Sequence, residues 1–248
     1  MSYNIKDIKK TKRIKPPKIV IVGPSKIGKT TFASSDERAI GILTEDGSHN
    51  VDANAFPLCT KLTEVYSCIE SLINEEHEYS TLYIDSLDWL EPLLWAHVSE
   101  VKGWSSIEQP GYGKGYTEAI IEWKNLLAGL DVLSNTKNMT IILVAHEKVK
   151  HFESPLHEGY DRFTIKLHDK ATALLEEWAD IIGHANYKVL TKSSDAGFGQ
   201  KETKAITTGE RMLYVEPHPA HCGGNRFGLK NMSLDWDAFK TELKQKQG

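Results

Sequence analysis

The eight residues Gly23–Thr30, GPSKIGKT, constrain this chain more than any other stretch. They match the pattern G-x-x-x-x-G-K-[ST] in full. They also stand between a β-branched run, Lys18–Val22, and a helix-compatible segment, TTFASS. Each position has a physical task. Gly23 and Gly28 allow a tight turn that aims backbone N–H groups inward at an anion. Lys29 reaches the β- and γ-phosphates of a nucleotide, and the Thr30 hydroxyl sits on Mg²⁺. A helix starting near Lys29 turns its positive end toward the same phosphates. The expected ligand is ATP with Mg²⁺, held by Gly23, Pro24, Ser25, Lys26, Ile27, Gly28, Lys29, Thr30 and Thr31.

A phosphate loop of this kind needs a second acid to hold the metal. Asp85 ends the apolar run TLYID and is the expected partner of Thr30 at Mg²⁺. Hydrolysis also needs a group that activates water. Glu45 and Asp46 end a predicted strand, Ala39–Thr44, on the carboxyl edge of a parallel sheet, where such crevices form. Glu45 is the expected base and Asp46 the second choice, with a solvated EDG turn as the plain alternative. His146 ends TIILVAH and either senses the γ-phosphate by hydrogen bonding or is a packed strand-end histidine.

Strands alternating with helices imply an α/β fold with a mostly parallel sheet wound by right-handed crossovers. Leu62, Val65, Tyr66, Ile69, Leu72 and Ile73 recur at helical spacing, as do Ala119, Ile120, Trp123, Leu126, Leu127, Leu130 and Leu133. Two stretches read as long irregular segments, 102–116 and 147–162, and such segments are usually functional. Farther on, KAITTG and RMLYVEP read as a hairpin across Gly209-Glu210, a C-terminal β-extension. A last helix is expected from Trp236 to Gln245.

Charge divides the chain. Lys6, Lys9, Lys10, Lys12, Arg13, Lys15 and Lys18 face only Asp7 in residues 1–18, a local charge of +6. The remainder carries −10 within a total of −4. We therefore expect a basic arm, 1–17, ahead of a single domain, 18–248. The arm reads equally as a segment for phosphates or an acidic neighbour and as a solvated tail. No apolar run approaches the ~20 residues needed to cross a bilayer, and the N-terminus lacks the apolar core of a secretory signal. Three cysteines, Cys59, Cys68 and Cys222, fit a reducing cytoplasm.

The order of these motifs resembles the RecA-like recombinase core: the loop GPSKIGKTT, a strand ending TEDG, then LYIDS, then a strand ending VAH. The resemblance is nearest to phage-encoded RecA-like ATPases of the AAA or single-strand annealing type. It runs on through AHEKVK, LLEEWADIIGHANYK and GERMLYVEPHPAHCGGNRFGL, about residues 16–240. It implies a P-loop ATPase whose ATP lies at a subunit interface of a filament or ring, acting on single-stranded DNA in a bacterial host cytosol. A single-strand-binding protein is an implied further partner. In such proteins basic residues reach across the interface. Here the matching stretch reads GGNR, with Gly224 where a lysine is expected and Arg226 remaining as the trans-acting finger. The missing lysine weakens the expectation of fast turnover.

The resemblance also places DNA-binding loops after the strands ending in Asp85 and His146. Trp104, Tyr112 and Lys114 fall in the first, with Tyr116. Lys148, Lys150, Phe152 and Arg162 fall in the second, with His151. Cations neutralise phosphates and aromatic rings stack on bases regardless of sequence. The alternatives are a P-loop small-molecule kinase, and a nucleotide-gated DNA-binding protein with negligible turnover. No arginine-dense lid supports the kinase. His218, His221 and Cys222 lack a fourth ligand at zinc spacing and read as an ordinary loop.

Overall fold

The computed structural model describes Asn4 and residues 15–47, 51–154, 158–195 and 201–247. Lys6, Lys9, Lys10, Lys12 and Arg13 of the basic arm lie outside the described residues. In chain order the elements are β1 (Lys18–Gly23), α1 (Lys29–Ser34), β2 (Ala39–Leu43), α2 (Leu62–Asn74), β3 (Thr81–Asp85), α3 (Leu87–Lys102) and α4 (Lys114–Thr136). Then follow β4 (Thr140–Phe152), β5 (Tyr160–Ile165), α5 (Asp169–Trp178), β6 (Ile181–Asp195), β7 (Lys201–Tyr214), β8 (Gly224–Asn225), β9 (Met232–Ser233) and α6 (Trp236–Gln247).

The sheet runs β2-β3-β4-β1-β6-β7-β9 among the described residues, with β5 paired to β4 and β8 to β6. The five strands from β2 to β6 in that order are parallel. Strands buried on both faces read as continuous apolar runs, which is why Ile19–Val22 and Ile141–Ala145 carry no polar alternation. Val20, Val22, Leu82, Ile84, Ile141 and Leu143 turn to the face covered by α2, α3, α4 and α5. Ile19, Ile21, Tyr83, Ile142 and Val144 turn to the face covered by α1 and α6. The result is helices on both sides of a mostly parallel sheet, as expected.

The C-terminal helix braces the phosphate-loop helix. Phe32 of α1 meets Trp236 edge-on at 5.4 Å and Phe239 at 5.7 Å. Such pairs each contribute about 0.5–1.5 kcal/mol beyond area burial. The loop therefore stands on a packed base rather than on a free helix.

Two expectations about the chain's course are corrected. KAITTG and the start of RMLYVEP lie in the single strand β7, not in a hairpin across Gly209-Glu210. β7 pairs antiparallel with β6, and Tyr187↔Arg211 is followed by Val189↔Thr207. Gly209, at φ +82°, sits in that shift, so the expected turn is a β-bulge. The β6–β7 connection itself falls at 196–200, outside the described residues. Residues 147–162 are also not an irregular loop. β4 continues past His146 to Phe152 and pairs antiparallel with β5, Lys150 opposite Arg162.

Gly23 illustrates how close the packing is at the loop's root. A Cβ there would collide with the backbone carbonyl of Ala185 on β6. Gly23→Ala is expected to destabilise the fold by about 1–3 kcal/mol, the usual range for overpacking. That lowers the Tm by about 2–4 °C per kcal/mol for a chain of this size. A thermal melt checks it, and an unchanged Tm would mean that β6 does not hold its register against β1.

Candidate nucleotide-binding site

β1 delivers the loop, and β4 and β3 deliver the groups facing it. Gly23 is in register with His146, and Asp85 with Val144, so three strand ends open on one edge of the sheet. Gly28 adopts φ +108°, which only glycine takes without strain. Ile27 is buried and anchors the loop in the core shared with α1 and α6.

Lys29 is 5 % exposed, and its Nζ donates to the carbonyls of Gly23 at 2.9 Å and Pro24 at 2.8 Å. Burial lowers its pKa, while Asp85, Asp88, Glu45 and Glu147 pull the other way. The ammonium is thus desolvated, ringed by acids and held by two loop carbonyls. The Thr30 hydroxyl donates to Asp85 Oδ2 at 2.6 Å. Asp85 is 4 % exposed, and burial raises its pKa against the pull of Thr30, Lys29 and His146. The Asp85–Ser86 peptide is cis.

The end of β2 is tied to the end of β3. Thr44 Oγ1 donates to Ser86 O at 2.7 Å, and Ser86 N donates back to Thr44 Oγ1 at 3.0 Å. The pair aligns Glu45, whose Oε2 accepts from Ser86 Oγ at 3.3 Å. Burial and neighbouring Asp85 raise the Glu45 pKa, while His146 lowers it. Asp88, in the first turn of α3, accepts from His146 N at 3.0 Å and lies 2.9 Å from the ring Nδ1. Burial pushes Asp88 upward, yet the ring and N–H of His146 overcome this and hold it at about 2. His146 is oriented by Asp88 and turned into the same cleft as the loop. That cleft, of about 1020 Å³, also takes in Asp46, Trp89 and Lys166.

A family model described as an AAA domain matches residues 15–227. The chain belongs to the AAA domain family. No curated protein matches it. Among solved structures, one titled "Crystal structure of the RadB recombinase" is similar at 17 % identity, with a TM-score of 0.43 over 85 % of each chain.

Within this AAA domain the structure gathers Lys29, Thr30, Glu45, Asp85 and His146 in one cleft. Arg226 is elsewhere. Its Nη1 donates to Asp180 Oδ1 at 2.9 Å and its Nη2 to Glu177 O at 2.6 Å. Asp180 precedes β6 and also accepts from Lys18 N, so Arg226 lies at the edge where β1 begins, opposite the loop. The arginine that does reach the loop is Arg211 of β7. Its Nη1 is 3.4 Å from Ile27 O, and a Cβ on Gly28 would stand 2.8 Å from it. Nothing in the sequence marks Arg211, because the β6–β7 bulge that aims it is a long-range register effect. Asp88 had a signal that went unused, an acid three residues after Asp85 at a helix start.

The other expected residues divide. Trp104 packs partly buried against the core and is no free platform. Tyr112 is fully exposed and Lys114 begins α4 at the surface. Tyr116 stacks on His168 at 4.4 Å, and Lys170 Nζ donates to Thr117 Oγ1 at 2.6 Å. These contacts join the start of α4 to the start of α5. The ribbon of β4 and β5 lies beside α5, with Lys148 Nζ donating to Leu167 O at 2.5 Å and Lys150 paired to Asp169 at 2.6 Å. His218 and His221 stack at 5.0 Å, and no group of three or more acids, histidines and cysteines among the described residues is arranged to hold a metal ion.

The Arg211 guanidinium beside Gly28 allows a direct test of the two arginines. Arg211→Ala is expected to weaken nucleotide binding about ten-fold or more, the usual loss for a charge-assisted hydrogen bond. Arg226→Ala is expected to leave the Kd of the isolated chain unchanged. Titration with a fluorescent ATP analogue checks both. Equal losses from the two variants would contradict the placement of Arg226 at the far edge.

Proposed function

We propose that this AAA domain is an ATP-dependent protein that binds single-stranded DNA, of RecA-like recombinase or annealing type. One observation carries the reading. β4 runs without a break from His146, at the phosphate loop, to Lys148, Lys150 and Phe152 on the ribbon. A group that reads the nucleotide and groups suited to a polynucleotide thus share one strand. Tyr112 and Lys114 are exposed at the start of α4, whose Thr117 meets Lys170 of α5.

The residues fit a nucleotide with Mg²⁺. A side chain at Gly23 would strike the Ala185 carbonyl and one at Gly28 the Arg211 guanidinium, so the loop keeps both glycines, and Thr30 and Asp85 present oxygens 2.6 Å apart. Mg²⁺ would supply Lewis-acid polarisation of the phosphoryl group. Lys29 would exchange its two loop carbonyls for phosphate oxygens. Glu45, held by Ser86, would take the proton from the attacking water. His146, oriented by Asp88, would register the γ-phosphate and pass the change along β4. Arg226 would complete a neighbour's site in a filament or ring, a role suited to its position on the edge opposite the loop. A host cytosol and a single-strand-binding partner complete the proposal.

A second reading, phosphoryl transfer to a small acceptor, rests on the cleft itself. It extends beyond the loop onto Trp89, 56 % exposed, and Leu58, 43 % exposed. ATP hydrolysis measured with and without single-stranded DNA separates the two. Stimulation by DNA supports the recombinase type. Indifference to DNA with a phosphorylated small acceptor supports the kinase. ATP-dependent DNA binding without hydrolysis supports a nucleotide-gated binder.

A further inference from the structure

A second cavity, of about 180 Å³, lies between the β4–β5 ribbon and α5, away from the nucleotide cleft. Its walls are two polar faces. Lys150 and Phe152 of β4 share one side of the ribbon with Arg162 and Thr164 of β5, as strand alternation and the Lys150↔Arg162 register require. Asp169, Thr172, Ala173 and Glu176 of α5 are spaced i, i+3, i+4 and i+7, one face of a helix. A helix face turned toward a sheet usually brings apolar side chains. Here the apolar stripe of α5, Ala171 and Leu175, is spent on the core.

Two polar atoms in these walls are buried without partners: Arg162 Nε and Thr172 Oγ1. Buried donors are normally satisfied, so two orphans in residues that line one cavity call for an explanation. Arg162 makes no ion pair among the described residues, and its guanidinium lies 5.9 Å over the Phe152 ring. Opposite it, Glu176 is a carboxylate whose pKa burial raises and Arg162 lowers. A free phosphate is disfavoured, because Glu176 and Asp169 both face the space. The walls call for a neutral planar group with donors and acceptors on its rim. Size agrees, since a cavity of about 150 Å³ suffices for one benzene ring.

We propose that this cavity receives a single unstacked nucleobase, its face on Phe152 and its edge hydrogen-bonded by Arg162, Thr172 and Glu176. The inference rests on the DNA-binding reading of the ribbon and adds to it a discrete base site. Every base carries a face and both kinds of hydrogen-bonding group, so the site tolerates any sequence. The cations along the ribbon would hold the flanking phosphates, while the cavity draws one base out of the strand's stack.

The test uses the full chain with ATP and a thymidine oligomer carrying one 2-aminopurine and a terminal dye. Dye anisotropy reports binding, and 2-aminopurine emission reports unstacking. The wild type is expected to raise anisotropy and to raise the emission severalfold. Ala173→Trp, which fills the cavity from the exposed side of α5 and leaves every charge in place, is expected to abolish the emission change. It should also weaken binding about ten-fold, the scale of one stacked base. Thr172→Val removes one orphan hydroxyl and should reduce the emission change while the chain stays folded. Normal anisotropy with no emission change, or an equal change in Ala173→Trp, overturns the base site and leaves DNA binding standing. No anisotropy change overturns both.

Discussion

Lys29→Ala is expected to cut ATP turnover by about 10²–10³-fold, the scale for losing one preorganised electrostatic contact at a reacting group. Single-stranded DNA binding should then no longer respond to ATP. Lys29 is desolvated and surrounded by Asp85, Asp88 and Glu45, and among the described residues its Nζ is hydrogen-bonded to two loop carbonyls. A buried cation with such weak partners is poised for a stronger anion. The substitution has a further effect on Asp85, because Lys29 is among the groups that hold the Asp85 pKa down. Without it Asp85 protonates more readily, and the Thr30–Asp85 oxygens become poorer partners for Mg²⁺. Hydrolysis assays and dye anisotropy with and without ATP check the prediction, with circular dichroism to confirm folding. DNA binding that is ATP-independent in both proteins would remove the proposed coupling.

Glu45→Gln is expected to reduce kcat by about 10²–10⁴-fold, the range for losing a general base. ATP-gated DNA binding should persist, because amide and carboxylate are nearly isosteric and the Ser86 contact survives. The wild-type rate also acquires a pH signature. Burial and Asp85 raise the Glu45 pKa, and a base must be ionised to act. As pH falls through that raised value Glu45 gains its proton and the rate drops, so the acid limb lies above the ordinary glutamate range. A pH–rate profile of wild type beside Glu45→Gln reads it directly. If Asp46→Asn rather than Glu45→Gln removed activity, the roles would be exchanged.

Much of the nucleotide cleft was legible in the sequence because its signals are local. GPSKIGKT specifies the loop's glycines and its lysine, and TLYID and TIILVA are apolar runs that a parallel sheet demands. Where those strands end, Asp85 and His146 follow directly. The illegible parts depend on distant pairing. Lys148, Val149, Lys150, His151 and Phe152 carry no apolar alternation, since Val149 and Phe152 stand three positions apart, and so they read as a loop. Only pairing with Tyr160–Ile165 makes them a strand. Thr208-Gly209-Glu210 has turn composition, but β6 converts it into a bulge. That bulge puts Arg211 at the phosphate loop, a contact 184 residues apart in the chain. Trp104 shows the converse error, an aromatic among glycines that the core takes up.

The unbroken course of β4 sets a mechanical condition. A strand advances about 3.3 Å per residue and alternates its sides strictly, so it transmits displacement as a stiff rod does. Lengthening it by one residue between His146 and Lys148 would rotate Lys148, Lys150 and Phe152 to the back of the ribbon. Evolution can retune the charge of this ribbon freely, but a change of its length by an odd number of residues turns it inside out unless a bulge takes up the extra residue.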